Sequence, residues 1–167
     1  MRWEQLGLTL IELLVGVAVV AVLLTLAVPH FRTLSQQQTV RSAGMALYAD
    51  LQLARSEAIK RNKDVTVCFS GSGTPDWRYH IKELALASDC ESSVNHDIGV
   101  ADSQAYPAVI LTASYPRHYL VFKPRRNSLV SGNITLADGD RSIRVITWNN
   151  GIIRTCSDSQ LSGVPPC

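Results

Sequence analysis

The first third of the chain contains two hydrophobic patterns of different kinds. From Leu8 to Val28 nearly every residue is apolar, and Glu12 is the only charged one. A helix that crosses a bilayer needs about 20 mainly apolar residues, so this run predicts a membrane-spanning helix. A buried helix of a soluble core is the alternative, but such helices are rarely apolar for so long. A cleaved signal peptide is disfavoured, because the run is too long and the residues around Pro29 make a poor cleavage site.

After Pro29 the apolar residues occupy one side of a helix. They recur at steps of three and four residues, which is the spacing of a helix face: Val40, Ala43, Leu47, Leu51, Ala54 and Ala58. Their small to medium size suits a helix that lies against a sheet. We predict one long helix from about Leu8 to Arg61, in which Pro29 allows a bend.

From Asp64 onward, short runs rich in β-branched and aromatic residues are typical of strands. The predicted strands are 65–69, 77–81, 108–113, 118–122 and 133–137. A hairpin with an Asn-Asn-Gly turn is predicted to join 141–148 to 152–156. The segment 84–107 is polar and irregular, which predicts a long loop. The fold class is therefore α+β, with the second half of the helix packed on a C-terminal antiparallel β-domain.

The composition and the absence of known motifs limit the kinds of function that the sequence predicts. The chain has 167 residues and a formal net charge of +2, so charge alone indicates no nucleic-acid partner. It contains no nucleophile elbow, no P-loop and no dinucleotide fingerprint. We therefore predict no enzyme activity, no catalytic residue and no cofactor. No metal site is predicted either, because there is no C-x-x-C pair and the histidines lack ligand spacing.

Glu12 is unusual in its apolar surroundings. A charge in the hydrocarbon layer costs about 2.5–3.5 kcal/mol on insertion scales, and such residues are usually paired and functional. One interpretation is that Glu12 lies at headgroup depth and is solvated. The other is that it has a cationic partner, which cleavage after Gly7 would supply as a new amino group on Leu8.

The start of the chain, "MRWEQLG" followed by "LTLIELL", resembles the class III leader of type IV prepilins. The resemblance implies that a prepilin peptidase cleaves between Gly7 and Leu8 and that Leu8 is methylated. It also implies that Glu12 helps the subunit dock into a filament by pairing with a neighbour's terminal amine. Leu8 departs from the phenylalanine that is commoner at this position.

The same resemblance implies a domain organisation and a location. Residues 1–7 are the leader, 8–30 a transmembrane and filament-core segment, and 31–167 a soluble pilin domain whose helix ends near 61. The subunit is expected to cross the bacterial inner membrane once, with the C-terminal domain in the periplasm, and then to enter a pilus or pseudopilus. The expected partners are other major and minor pilins, the peptidase, the inner-membrane assembly platform, and membrane lipid before assembly.

Four cysteines fit a domain outside the inner membrane, where disulfides persist. They allow three connectivities. Local pairing, which is the simpler possibility, favours Cys68–Cys90 and Cys156–Cys167.

The stretch "LQLARSEAIKRNKDVTVC", 51–68, resembles the FimT/FimU/GspH group. These proteins are low-abundance type IV pilins and the H-type minor pseudopilin of type II secretion. The resemblance leaves three functions open: a minor pilin that initiates or caps a type IV pilus, a DNA-binding minor pilin for natural transformation, and an H-type pseudopilin.

The DNA-binding relatives carry a G-R-x-R stretch near the C-terminus. The matching residues here are Gly151-Ile152-Ile153-Arg154, so one arginine is replaced by Ile152. A local excess of cations after Phe122 partly restores the DNA hypothesis, because phosphate contacts supply most non-specific affinity. The candidate contacts are Lys123, Arg125, Arg126, Arg141, Arg144 and Arg154. Any binding of DNA is expected to be weak.

Overall fold

The computed structural model describes residues 9–83, 90, 97–125 and 129–167. Its one long helix, α1, spans Leu10–Arg61, which is 52 residues, and continues without a break through Pro29. The chain divides into two compact units, Met1–Gln36 and Gln37–Cys167. The predicted leader and Leu8 lie outside the described residues.

The first unit is helical in its described part, and its apolar side chains are exposed. Between Leu10 and Val28 every side chain that the structure describes is exposed, from 78% at Leu10 to 46% at Val28 among the large apolar ones. Among the residues described, no helix satisfies the length and hydropathy requirements of a membrane span.

In the second unit, the predicted helical stripe is confirmed. Val40, Ala43, Leu47, Leu51, Ala54 and Ala58 are all at most 2% exposed. Every buried apolar residue that the structure describes lies between Val40 and Leu161, so this unit contains its own core.

The helix ends in a Schellman motif. Asn62 adopts the left-handed conformation, with a φ of 53°. Its N–H donates to Ile59 O, and the Lys63 N–H donates to Ala58 O, each at 3.3 Å. Asparagine tolerates this conformation better than most residues do, which explains why the helix stops here.

In the described part of the chain after the helix, eight strands form two antiparallel four-stranded sheets. The first sheet has the order β3-β2-β1-β5 and the second the order β4-β6-β7-β8. The strands are β1 (Val65–Ser70), β2 (Arg78–Glu83), β3 (Asp97–Asp102), β4 (Ile110–Ala113), β5 (Tyr119–Phe122), β6 (Gly132–Asp138), β7 (Arg141–Thr147) and β8 (Ile153–Cys156). The predicted fold class is confirmed, and so is the closing hairpin, in which Thr147 pairs with Ile153.

The prediction of a long loop over 84–107 is wrong in its second half. β3 pairs with β2, with Ala101 opposite Tyr79 and Gly99 opposite Ile81, and a short 3-10 helix follows at Ser103–Ala105. The sequence of β3 has two aspartates and a glycine, which are rare in strands. Backbone pairing with β2 therefore forms this strand without the usual side-chain pattern. Residues 84–89 and 91–96 lie outside the described residues.

The helix contacts both sheets. Tyr79 of β2 donates its hydroxyl hydrogen bond to Asp50 Oδ2 at 2.7 Å. Burial, reinforced by this bond, raises the pKa of Tyr79 above its usual value. On the second sheet, Gly44 lies so close to Ile143 that a Cβ at Gly44 would be 2.3 Å from Ile143 Cγ2. Gly44 thus permits the close approach of α1 to β7.

Candidate assembly and DNA-contact surfaces

Glu12 lies in the first turn of α1, where Thr9 caps the helix. The Glu12 N–H donates to Thr9 Oγ1 at 3.3 Å, and the Leu13 N–H donates to Thr9 O at 3.2 Å. Thr9 and Glu12 have the spacing of a capping box, T-x-x-E, and an acid is also favoured here by the helix dipole. The capping spacing was readable in the sequence. It gives Glu12 a local structural role beside the predicted role in docking, whose partner atom on Leu8 lies outside the described residues.

The ARSEA segment has a role that the sequence pattern did not reveal. This segment is Ala54–Ala58, and its two alanines pack into the core as members of the apolar helical stripe. Arg55, between them, donates from Nη1 to Gly151 O at 3.3 Å, across 96 positions of the chain. The segment therefore also fixes the turn between β7 and β8, where the DNA-binding relatives have their arginine motif.

The basic residues at the end of α1 are engaged in ion pairs. Glu57 accepts from Arg61 at 2.7 Å and from Lys60 at 3.3 Å. Glu83 of β2 accepts from Arg61 at 3.3 Å and from Lys63. The hydrogen bond from Arg61 lowers the pKa of Glu57, and the bond from Lys63 lowers the pKa of Glu83. This network joins the end of the helix to the first sheet.

Both expected disulfides are present in the structure. Cys68 on β1 is joined to Cys90, with their Cα atoms 5.6 Å apart, and Cys156 is joined to Cys167, with 4.9 Å between the Cα atoms. The second bridge holds the tail against the end of β8. Leu161 in that tail is 2% exposed.

Two of the predicted DNA-contacting arginines have partners within the domain. Arg141 Nη1 donates to Ser159 O at 3.2 Å. Arg144 Nη2 lies 2.7 Å from Asp158 Oδ2 in an exposed ion pair. Asp158 therefore offsets part of the local excess of positive charge that the sequence shows after Phe122.

Arg154 is exposed, and its guanidinium lies 5.7 Å from the centroid of the Trp148 ring. In the sheet, Arg154 of β8 lies opposite Ile146 of β7, and Ile146 comes two residues after Arg144. Since side chains alternate along a strand, Arg144 and Arg154 share the outer face of the second sheet. Lys123 and Arg125 are exposed after β5 of the first sheet. The candidate contacts are thus divided between the sheets, and Arg126 lies outside the described residues.

The turn at Gly151 displays Ile152 at the surface. Gly151 has a φ of 79°, and its N–H donates to Trp148 O at 2.9 Å. Ile152 is 40% exposed and follows the turn directly. An arginine at this position would also be exposed, so isoleucine leaves position 152 without a surface charge. In the part of the chain that the structure describes, no cluster of three or more His, Cys, Asp or Glu residues could hold a metal ion.

A family model described as Type II transport protein GspH matches residues 43–151, which is well over half of the chain. The chain belongs to the GspH family. The GspH match begins at Ala43 of the buried helical stripe and ends at Gly151, whose carbonyl accepts the bond from Arg55. Glu12 and the Cys156–Cys167 bridge lie outside it. A comparison with curated proteins gives no match.

Two crystal structures of the type IV minor pilin FimU of Pseudomonas aeruginosa have a similar fold. One superposes with a TM-score of 0.60 at 18% identity, covering 78% of this chain and 98% of that chain. The other gives a TM-score of 0.56 at 19% identity, covering 74% of this chain and 98% of that chain. At this level of identity the likeness establishes the fold, which is the type IV pilin fold.

Proposed function

We propose that the chain is a minor pilin of a type IV pilus, a structural subunit that initiates or caps filament assembly. The observation that carries the proposal is the exposed apolar helix of the first unit. Its large apolar side chains from Leu10 to Val28 are about half exposed or more in the isolated chain. A helix that is apolar all round is normally buried in a membrane or in the core of a larger assembly.

In this proposal, the helix occupies these two environments one after the other. Before assembly the segment 8–30 lies in the inner membrane, in contact with lipid, and the second unit lies in the periplasm. After assembly the same segment packs against the corresponding helices of neighbouring major and minor pilins. The likeness of the chain to FimU supports this assignment at the level of the fold.

Processing and docking follow from the same proposal. A prepilin peptidase removes residues 1–7, and the new amino group on Leu8 is methylated. Glu12 then pairs with the amine of a neighbouring subunit as the assembly platform adds it to the filament. The pairing offsets the cost of a carboxylate in apolar surroundings.

An H-type minor pseudopilin of a type II secretion system is the second candidate. The description of the matching family, Type II transport protein GspH, favours it. DNA uptake is supported less, because Ile152 replaces one arginine and Arg144 is paired with Asp158.

Complementation of a deletion strain separates the candidates. The native chain should restore surface pili, and Glu12→Ala should not, although the variant is still cleaved and inserted. Asp64→Ala, which removes an exposed acid of the folded second unit, is the matched control and should restore pili. If the native chain restores protein secretion and leaves piliation unchanged, the pseudopilin is established instead. If the deletion impairs neither piliation nor secretion, both candidates are contradicted.

A further inference from the structure

A surface cleft of about 490 Å³ lies where β1 ends and β5 begins. The Cys68–Cys90 disulfide forms part of its wall, together with Ser70, Arg117, His118 and Tyr119. Cys68 is directly opposite Tyr119 in the sheet, so the aromatic side chain and the disulfide share one face. Small-molecule sites typically have volumes of about 300–1,000 Å³ and combine apolar walls with a few placed polar groups. The volume of this cleft lies within that range, and its wall combines the disulfide and an aromatic ring with polar side chains.

The polar groups of the cleft are suited to an anion. Arg117 and His118 supply cationic and donor groups, and none of the described residues that line the cleft is acidic. Arg117 Nη1 donates to the Tyr119 hydroxyl in a long bond of 3.5 Å, so the guanidinium lies beside the ring. This bond raises the pKa of Arg117, and an arginine side chain does not lose its proton in proteins. A guanidinium has five donors in a planar fork, and the remaining ones make no hydrogen bond to another described residue.

The backbone fixes the position of His118. Its φ is 56°, in the left-handed region that costs a residue with a Cβ more than it costs glycine. The His118 N–H donates to Tyr115 O at 3.2 Å, and His118 O accepts from the Phe69 N–H at 2.8 Å. These two bonds hold the residue in place, and its ring makes no hydrogen bond within the described chain. With its backbone held and its ring making no such bond, His118 is available to contact a ligand.

We propose that this cleft binds a small organic anion, whose carboxylate or phosphate oxygens contact Arg117 and His118. The apolar part of the anion lies against the Tyr119 ring and the Cys68–Cys90 disulfide. Arginine matches the planar geometry of a carboxylate and also pairs well with phosphate. The site is on the folded second unit and does not depend on the role of the chain in a filament.

The test uses the full chain in neutral detergent, with ¹³C-labelled histidine rings. The chain has four histidines, and His118→Gln identifies the His118 signal. Inorganic phosphate, phenyl phosphate and benzoate are titrated at constant pH and ionic strength, with benzyl alcohol as the neutral control. We expect a saturable shift of the His118 signal with a dissociation constant on the order of millimolar, and no shift with benzyl alcohol. A response to benzoate alone, or to the two phosphates alone, identifies which anion the site takes.

Arg117→Gln should weaken binding about tenfold or more, while Arg125→Gln, an exposed arginine outside the cleft, should leave it unchanged. If Arg117→Gln misfolds by circular dichroism, Arg117→Lys replaces it and should weaken binding by removing the fork geometry. Equal, non-saturating shifts of all four histidine signals would overturn the proposal. So would unchanged affinity in the folded Arg117 variant, or the absence of a response to every anion.

Discussion

Replacement of Gly44 by alanine should destabilise the second unit through a single close contact. The added Cβ would lie 2.3 Å from Cγ2, 2.7 Å from Cδ1 and 3.1 Å from Cγ1 of Ile143. Favourable carbon–carbon contacts lie at about 3.5–4.0 Å, so the helix or Ile143 must move by more than 1 Å. Ile143 is fully buried, and its β-branched side chain has little rotamer freedom.

Two effects of opposite sign determine how much Gly44→Ala changes the free energy of unfolding. Overpacking a core costs about 1–3 kcal/mol, and the severity of this contact places it near the upper end. Alanine is about 1 kcal/mol better than glycine within a helix. We therefore expect Gly44→Ala to lower the free energy of unfolding by about 2 kcal/mol.

Urea unfolding of residues 31–167, with both disulfides intact, measures this loss through tryptophan fluorescence, in which buried Trp77 becomes exposed while Trp148 is already 38% exposed. Ser42→Ala, two positions earlier and exposed on the same helix, should stay within about 0.5 kcal/mol of the native domain. In the double variant with Ile143→Ala, the loss should be smaller than the sum of the single losses, because the truncated side chain makes room for the new Cβ. If Gly44→Ala is as stable as the native domain, or if the two losses simply add, the close approach of α1 to β7 is wrong.

Four further predictions concern processing, docking, the bridges and DNA. The intact mass of protein from a host with a prepilin peptidase should correspond to a methylated chain that starts at Leu8, and a chain retaining residues 1–7 would contradict this. Glu12→Ala should lower the amount of the protein in sheared pili while its cleavage and membrane insertion stay normal, so equal recovery would argue against pairing. Peptide mapping without reduction should recover the two local disulfides, each worth roughly 3 kcal/mol by loop entropy, and a crossed pair would refute the connectivity. Duplex DNA should bind residues 31–167 no more tightly than about 10⁻⁴–10⁻⁶ M, with a further loss in Arg154→Gln, and tight binding in a salt series that this change removes would favour DNA uptake.

The helix was predictable because its signals are local. The three- and four-residue spacing from Val40 to Ala58 identifies the buried face without reference to the rest of the chain. The end of the helix was placed correctly at Arg61, and Asn62 supplies the physical reason. The cap at Thr9 could have been predicted from the same kind of local pattern.

The remaining features depend on tertiary contacts. β3 has no strand pattern of its own and forms by pairing with β2. The sequence makes Arg144 a candidate DNA contact. The fold brings Asp158 to within 2.7 Å of it. The bond from Arg55 to Gly151 joins positions 96 residues apart, and no local pattern predicts such a contact.

The family match covers most of the residues that position the helix on the sheets, but it leaves out β8 and the C-terminal bridge. Inside 43–151 lie most of the buried helical stripe, Arg55 and the Gly151 turn, all of which position the helix on the sheets. Outside it lie Glu12, the exposed apolar helix and Arg154 with its strand. Membership in the family therefore rests on the scaffold and not on Glu12, the exposed apolar helix or Arg154. Arg55 connects the two groups, because its bond to Gly151 sets the turn from which Ile152 and Arg154 extend.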